Sequence, residues 1–300
     1  PADSAGLLVC GMGGSAIGGD LAAAALGDRL TRPVHTVRGY GLPGWVTSEW
    51  AVLCSSYSGD TEETLACFAA AEELGVRLVV AGTGGALVEA ARAARVPVIG
   101  LPGILPAPRT AVAYMLVCAV EVATLSGAAP GLHDEIEAAA ASLEERRQAT
   151  RERAAEIAGR LEGRLPVVYG AGPTSAVARR WKTQVNENAK LPAFWGELPE
   201  ADHNELCGWG GAGDSAVAVL LEDPDQHPRE RRRFGLTAAA IADSGAPTIR
   251  IEASGASRFE RVVWTVMLGD LVSLELAESR GVDPLPVEAI DSLKAALAES

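Results

Sequence analysis

The chain has 300 residues, 48% of them apolar, and a formal net charge of −13. That length and apolar content allow a large core, as one large or two medium domains. The negative charge argues against a nucleic-acid or anionic-membrane surface, while an anion can still bind in a local pocket of N–H, hydroxyl and Arg groups.

Five cysteines (Cys10, Cys54, Cys67, Cys118 and Cys207) are scattered, odd in number and without a Cys-x-x-Cys pair. A disulfide framework or zinc knuckle is therefore disfavoured, and a reducing cytoplasm fits best. No apolar run is expected to reach the span of a bilayer, and no signal peptide is visible. With Pro1 just ahead of a strand, an N-terminal lead-in is expected.

In chain order, Gly6 to Cys10 reads as a short buried strand, followed by Gly11-Met12-Gly13-Gly14-Ser15-Ala16-Ile17-Gly18-Gly19-Asp20. Glycines at this density let the backbone approach a ligand, and tight strand-to-helix packing also accounts for many of them. The Gly13-x-x-x-x-Gly18 spacing lacks the Lys-Ser/Thr of a P-loop, which disfavours a nucleoside triphosphate. A dinucleotide fingerprint fits little better, because no acidic residue clearly closes a second strand. Val34–Val37, Ala51–Leu53, Leu78–Ala81 and Val96–Ile99 are strand-like, alternating with helical patterns at Glu62–Leu74, Ala86–Ala94 and Thr110–Ser126. Such alternation predicts a parallel sheet covered on both faces, with ligands beyond the carboxyl ends of its strands.

The central stretch is Cys54-Ser55-Ser56-Tyr57-Ser58-Gly59-Asp60-Thr61-Glu62-Glu63-Thr64. Small hydroxyls at the mouth of a helix, with the unpaired N–H groups of its first turn, suit a phosphate. One N-cap would explain one such residue, but Ser56, Ser58 and Thr61 exceed what one helix needs. The glycine loop at Gly13, Gly14 and Ser15 then reads as a second wall of the same anion site. The proline-rich loop 102–108 presents Arg109 at the start of an apolar helix, which suits an anchored, inward Arg. Leu132–Leu161, rich in Ala, Glu and Arg, reads as one or two exposed helices joining two halves.

The pattern then returns. Leu165–Tyr169 is a strand, Gly170–Thr174 a glycine turn and Ser175 onward a helix. Further strands are expected at Val217–Leu221 and Pro247–Ile251, and helices at Pro228–Asp243, Ser257–Ser279 and Val287–Ala298. This half lacks a Ser-rich loop, so one phosphate site is expected, in the first half. Polar chemistry gathers at Gln184–Pro192 and at Glu200–Trp209. Glu187 stands near a helix C-terminus, where the dipole disfavours a carboxylate, so a compensating role is worth seeking. His203 sits among polar residues. Asp202-His203-Asn204-Glu205 is a poor metal site, because adjacent residues rarely converge on one centre and no i,i+4 His exists.

Gly-Met-Gly-Gly-Ser at 11–15, Ser-x-Ser-Gly-x-Thr-x-Glu-Thr at 56–64, Asn-Glu-Asn-Ala-Lys at 186–190 and His-Asn-Glu-x-x-Gly-Trp at 203–209, in this order, resemble the bifunctional phosphoglucose/phosphomannose isomerase family. The resemblance covers the whole chain. It implies two sugar-isomerase (SIS) domains, each a flavodoxin-like parallel sheet flanked by helices, over 1–130 and 163–300, with connecting helices at 131–162. It also implies reversible interconversion of glucose 6-phosphate and/or mannose 6-phosphate with fructose 6-phosphate through a cis-enediol.

By similarity, Gly13, Gly14, Ser15, Ser56, Ser58 and Thr61 hold the phosphate and Glu187 is the base. His203 and Lys294 open the ring, and Arg109 stabilises the enediolate. No metal or cofactor is implied. A homodimer is, with the histidine contributed across the subunit interface. One departure is the absence of a hydroxyl in Asp283-Pro284-Leu285-Pro286-Val287, where several members carry a threonine associated with accepting mannose. A non-catalytic sugar-phosphate sensor using the same loop is the alternative. A ketosamine-type isomerase domain is disfavoured, since no glutaminase region or amine-handling motif is present.

Overall fold

The structure, a computed structural model, describes residues 3–298. The chain forms two compact units, one of residues up to Ala140 with Gly255–Val263, the other of Ala141–Ser254 with Trp264 onward. The helical stretch 131–162 is thus shared between them.

In the first unit, Leu7–Cys10 (β1), Val34–Val37 (β2), Ala51–Ser55 (β3), Arg77–Gly82 (β4) and Val98–Gly100 (β5) form a parallel sheet in the order β2-β1-β3-β4-β5. Every residue of β1 and β3 is buried, as continuous apolar runs require of central strands covered on both faces. The helices are Gly13–Leu26 (α1), Glu62–Leu74 (α2), Gly85–Ala93 (α3) and Val112–Leu125 (α4), followed by His133–Glu145 (α5), which runs into the second unit. One core cluster joins Leu8, Val52, Val80, Phe68 and Leu87.

The strand order reverses between β1 and β3. In such sheets the crevice beyond the carboxyl ends at this switch point is the ligand site. The two loops that leave β1 and β3 there are the glycine loop and the Ser-rich loop.

The expectation that no apolar run spans a bilayer is corrected at Pro108–Leu125, 18 residues with mean hydropathy 1.3 and half buried. Its apolarity serves the core of the first unit. A Cβ on Gly18 of α1 would lie 2.7 Å from the Met115 backbone of α4, so the two helices approach as closely as glycine permits.

In the second unit, Leu165–Gly170 (β6), Phe194–Glu197 (β7), Ala216–Glu222 (β8) and Thr248–Glu252 (β9) form a parallel sheet in the order β7-β6-β8-β9. Its helices are Arg147–Leu161 (α6), Pro173–Ala189 (α7), Pro228–Asp243 (α8), Arg258–Ser279 (α9, which begins in the first unit) and Glu288–Ala298 (α10). Tyr169, Leu198, Trp209, Leu220 and Phe234 belong to its core. Edge strand β7 has no apolar alternation to announce it. Its Phe194 is exposed, and it is defined by pairing with β6.

Helix α7 is fixed against α9 by the Trp181 indole N–H donating to Thr265 O at 2.9 Å and by a two-pronged Arg180–Asp270 pair at 2.9 and 2.6 Å. This anchorage matters because α7 carries Glu187.

Candidate active site

In the first unit the two hydroxyl-bearing loops form one assembly. Ser15, in the first turn of α1, is buried, and its Oγ accepts a hydrogen bond from Tyr57 N at 3.2 Å. Ser56 Oγ is hydrogen-bonded to Thr61 Oγ1 at 3.0 Å and accepts from Gly59 N at 3.1 Å. The exposed Ser58 accepts from Asp60 N at 3.3 Å. Neither Met12 before α1 nor Thr61 before α2 caps its helix through a side chain. The hydroxyls therefore rigidify the loops instead of capping the helices. The N–H groups of Ser15 and Thr64 turn back to Met12 O and Thr61 O, which leaves the first two N–H groups of each helix as the ones suited to a ligand.

The two helix mouths differ electrostatically. The first turn of α1 holds no acidic residue, whereas α2 opens with Glu62 and Glu63. An anion is thus favoured at the α1 side, where the helix dipole acts unopposed. The Glu62 carboxylate accepts the Tyr40 hydroxyl at 3.4 Å. The carbonyls either side of Tyr40, on Gly39 and Gly41, accept the Cys67 thiol at 3.2 and 3.3 Å. Tyr40 is itself 62% exposed at this edge. Sequence reasoning passed over it; its signal is an aromatic between two glycines after a strand.

Arg109 joins the same assembly. It lies in the short 3₁₀ turn Pro108–Ala111 ahead of α4 and is 4% exposed, which fits the anchored, inward position expected of it. A Cβ on Gly14 would stand 2.9 Å from Arg109 Cα and 3.1 Å from Pro108 O. The backbone of the Arg109 turn is therefore pressed against the glycine loop. Tyr57 secures the approach from the other side. Its buried hydroxyl donates to Pro102 O at 2.9 Å and accepts from Leu105 N at 3.0 Å. Its ring packs with Ala111 and Met115. Nothing local in the sequence singles out Tyr57, because these partners lie 45 and 48 residues away.

In the second unit, Glu187 is half-buried in the last turn of α7. Its neighbours are held: Asn186 Nδ2 donates to Leu191 O at 2.8 Å, and Asn188 Nδ2 to Ser273 Oγ at 2.9 Å. The Lys190 ammonium donates to Glu187 O, to Pro284 O at 3.1 Å and to Pro286 O at 2.6 Å. Lys294 is exposed on α10, whose stem is the 283–287 segment that Lys190 grips. A pocket of about 460 Å³ lies just past the end of α7, lined by Leu191, Pro192, Arg280 and others. None of the expected catalytic residues lines it.

His203 ends a short 3₁₀ turn, Glu200–His203, after β7 and is exposed. The residues around it are committed to structure. Asp202 accepts from Arg233 and Thr237 at 3.1 and 2.7 Å, and Glu205 accepts from the Tyr169 hydroxyl at 2.9 Å. Burial raises the Tyr169 hydroxyl above its ordinary range, so it stays a donor to Glu205 while accepting from Trp209 Nε1 at 3.0 Å.

The sheet separates His203 from Glu187. Helix α7 leaves the carboxyl edge at Pro173 and returns to the amino edge, so Glu187 lies about 20 Å down its axis. His203 stays at the carboxyl edge, where Leu198 N donates to Gly170 O.

The glycine turn of this unit has its hydroxyl committed, because Thr174 Oγ1 donates to Leu221 O at 2.7 Å and accepts from Ala171 N at 2.9 Å.

Residues 150–297 match the family model described as the bacterial phospho-glucose isomerase C-terminal SIS domain. A bifunctional phosphoglucose/phosphomannose isomerase of Aquifex aeolicus is 37% identical, over 96% of this chain and 89% of that protein. One of Caldicellulosiruptor bescii is 36% identical, over 98% and 89%. Among solved structures, hypothetical protein TT0462 of Thermus thermophilus superposes with a TM-score of 0.77 at 15% identity, covering 99% of this chain and 83% of that one.

Proposed function

The chain belongs to the bifunctional phosphoglucose/phosphomannose isomerase family, and from that membership we propose that it interconverts glucose 6-phosphate and/or mannose 6-phosphate with fructose 6-phosphate. The observation that carries the reading is the built grip of the first unit. Ser15 is bonded to the Tyr57 amide, and Gly14 is pressed on the Arg109 backbone. Two helix mouths, a set of small hydroxyls and a buried arginine thus meet at the switch point of one sheet.

Gly13, Gly14, Ser15, Ser56, Ser58 and Thr61 hold the 6-phosphate, a handle remote from the reacting carbons. Glu187 removes the proton from C2 of the aldose and returns it to C1 through a cis-enediol. A carboxylate withdrawn from bulk water is suited to a carbon-bound proton. Arg109 supplies positive charge to the enediolate oxygen, which lowers the barrier most when the cation is already fixed in place. His203 and Lys294 open the ring, since imidazole exchanges a proton near neutrality.

The separation of Glu187 from His203 across one sheet supports a homodimer in which each histidine serves the partner's Glu187. Free cysteines, four buried and Cys207 exposed, support a reducing compartment, and we assign the protein to the cytoplasm.

A coupled assay with glucose 6-phosphate and mannose 6-phosphate, beside Glu187→Gln, tests the reading. The wild-type chain is expected to turn over at least one epimer, and E187Q to lose about 10³-fold or more in kcat. Binding without turnover in the wild type makes the chain a sugar-phosphate sensor. Turnover that survives in E187Q removes Glu187 as the base.

A further inference from the structure

We propose that Lys190 is the positioning residue of the isomerase site, holding the turn that carries Glu187 to the stem of the helix that carries Lys294; the inference rests on the isomerase reading above. Lys190 closes α7 in the left-handed conformation, at φ 54. Helices ordinarily place Gly or Asn there, because in that turn a Cβ crowds the following carbonyl oxygen. A lysine in this position needs a reason, and its ammonium supplies one. The Nζ donates to Glu187 O in the last turn of the helix and reaches Pro284 O and Pro286 O.

The segment it grips is stiff. Pro284 and Pro286 fix their own φ, and Leu285 N donates to Asp283 Oδ1 at 2.9 Å. Val287 O then accepts from Ile290 N and Asp291 N as α10 begins, two turns before Lys294. One cation therefore bridges two segments that sequence holds 94 and 96 residues apart. The same cation sits at the negative end of the α7 dipole, where the Glu187 carboxylate would otherwise be disfavoured. Lys190 acts through Glu187 and α10 and need not touch the reacting carbons.

The test uses Lys190→Asn and Lys190→Gly. Both residues accept the left-handed turn, so each removes the ammonium and keeps the backbone. Lys190→Arg returns a cation to the same place. Kinetics with fructose 6-phosphate are read beside the Ki of inorganic phosphate, which reports the grip of the first unit, and beside Tm. In K190N and K190G, kcat is expected to fall about 30-fold, with KM and the phosphate Ki within about threefold of wild type and Tm unchanged, because misplacing a catalytic group costs rate and leaves a remote handle alone. K190R is expected to recover part of the loss.

A kcat within about threefold of wild type in both K190N and K190G overturns the proposal. So does a loss shared by kcat, Ki and Tm, which marks general damage, and so does a K190R no better than K190N. A wild-type chain that does not turn over sinks the isomerase reading first and this inference with it, and the unmutated control tells the two failures apart.

Discussion

Two adjacent glycines of the first loop do different work, and alanine separates them. Gly13 takes φ 50 with open space where its Cβ would go. Gly13→Ala therefore displaces no protein atom and costs backbone strain, about 1–2 kcal/mol of stability. Gly14 is the reverse. Its Cβ would meet Arg109 Cα, Arg109 N and Pro108 O between 2.9 and 3.2 Å, all of them backbone atoms that cannot swing aside. Gly14→Ala is expected to displace the Arg109 turn and lower kcat/KM by about 100-fold, as a shift near 1 Å does at a reacting centre. Thermal melts and steady-state kinetics on the pair check this. A kcat/KM in G14A within about threefold of wild type would mean that the Arg109 turn is not held through Gly14.

At the scale of elements, the loop between β5 and α4 depends on distant support. Its backbone bonds to the Tyr57 hydroxyl through Pro102 O and Leu105 N, and it ends in Arg109. Tyr57→Phe removes one oxygen and leaves both backbone groups to find water, which costs about 1–3 kcal/mol. Because the phosphate hydroxyls are untouched, kcat is expected to fall more than KM rises. A larger change in KM than in kcat would place the effect on the grip instead.

That residue also marks how far the sequence could be read. Strand–helix alternation identified β1, β3, β6 and β8 and the loops leaving them, since continuous apolar runs and dense glycines are local signals. The hydroxyl cluster and the helix bearing Glu187 were legible for the same reason. Strand β7 was missed because the four residues of Phe-Trp-Gly-Glu carry no period of their own. Tyr57 and Lys190 were missed because each has partners 45 or more residues away that complete its role. The departure at Glu187, a carboxylate at a helix C-terminus, was visible as a question. Its answer, an ammonium three residues on with donors turned back to the same turn, needed the fold.

At the scale of the whole molecule, the separation of Glu187 from His203 has a consequence that a single chain cannot express. Both residues belong to the second unit, one at the amino edge of its sheet and one at the carboxyl edge, with about 20 Å of α7 between them. If both act on one sugar, they come from different copies. In a two-fold dimer the exchange is reciprocal, each copy giving its histidine to the other's glutamate. Chains carrying Glu187→Gln and chains carrying His203→Ala are then each inactive alone and complementary together. After co-refolding or co-expression, a mixed dimer has one site with both substitutions and one site with neither. With random pairing at equal amounts, about half the dimers are mixed and about a quarter of wild-type activity returns. A size-exclusion profile taken on the same sample shows whether the species formed is a dimer. Activity that stays at the level of the separate variants, in a sample shown to have exchanged its subunits, would mean that His203 serves its own chain or does not serve the reaction at all.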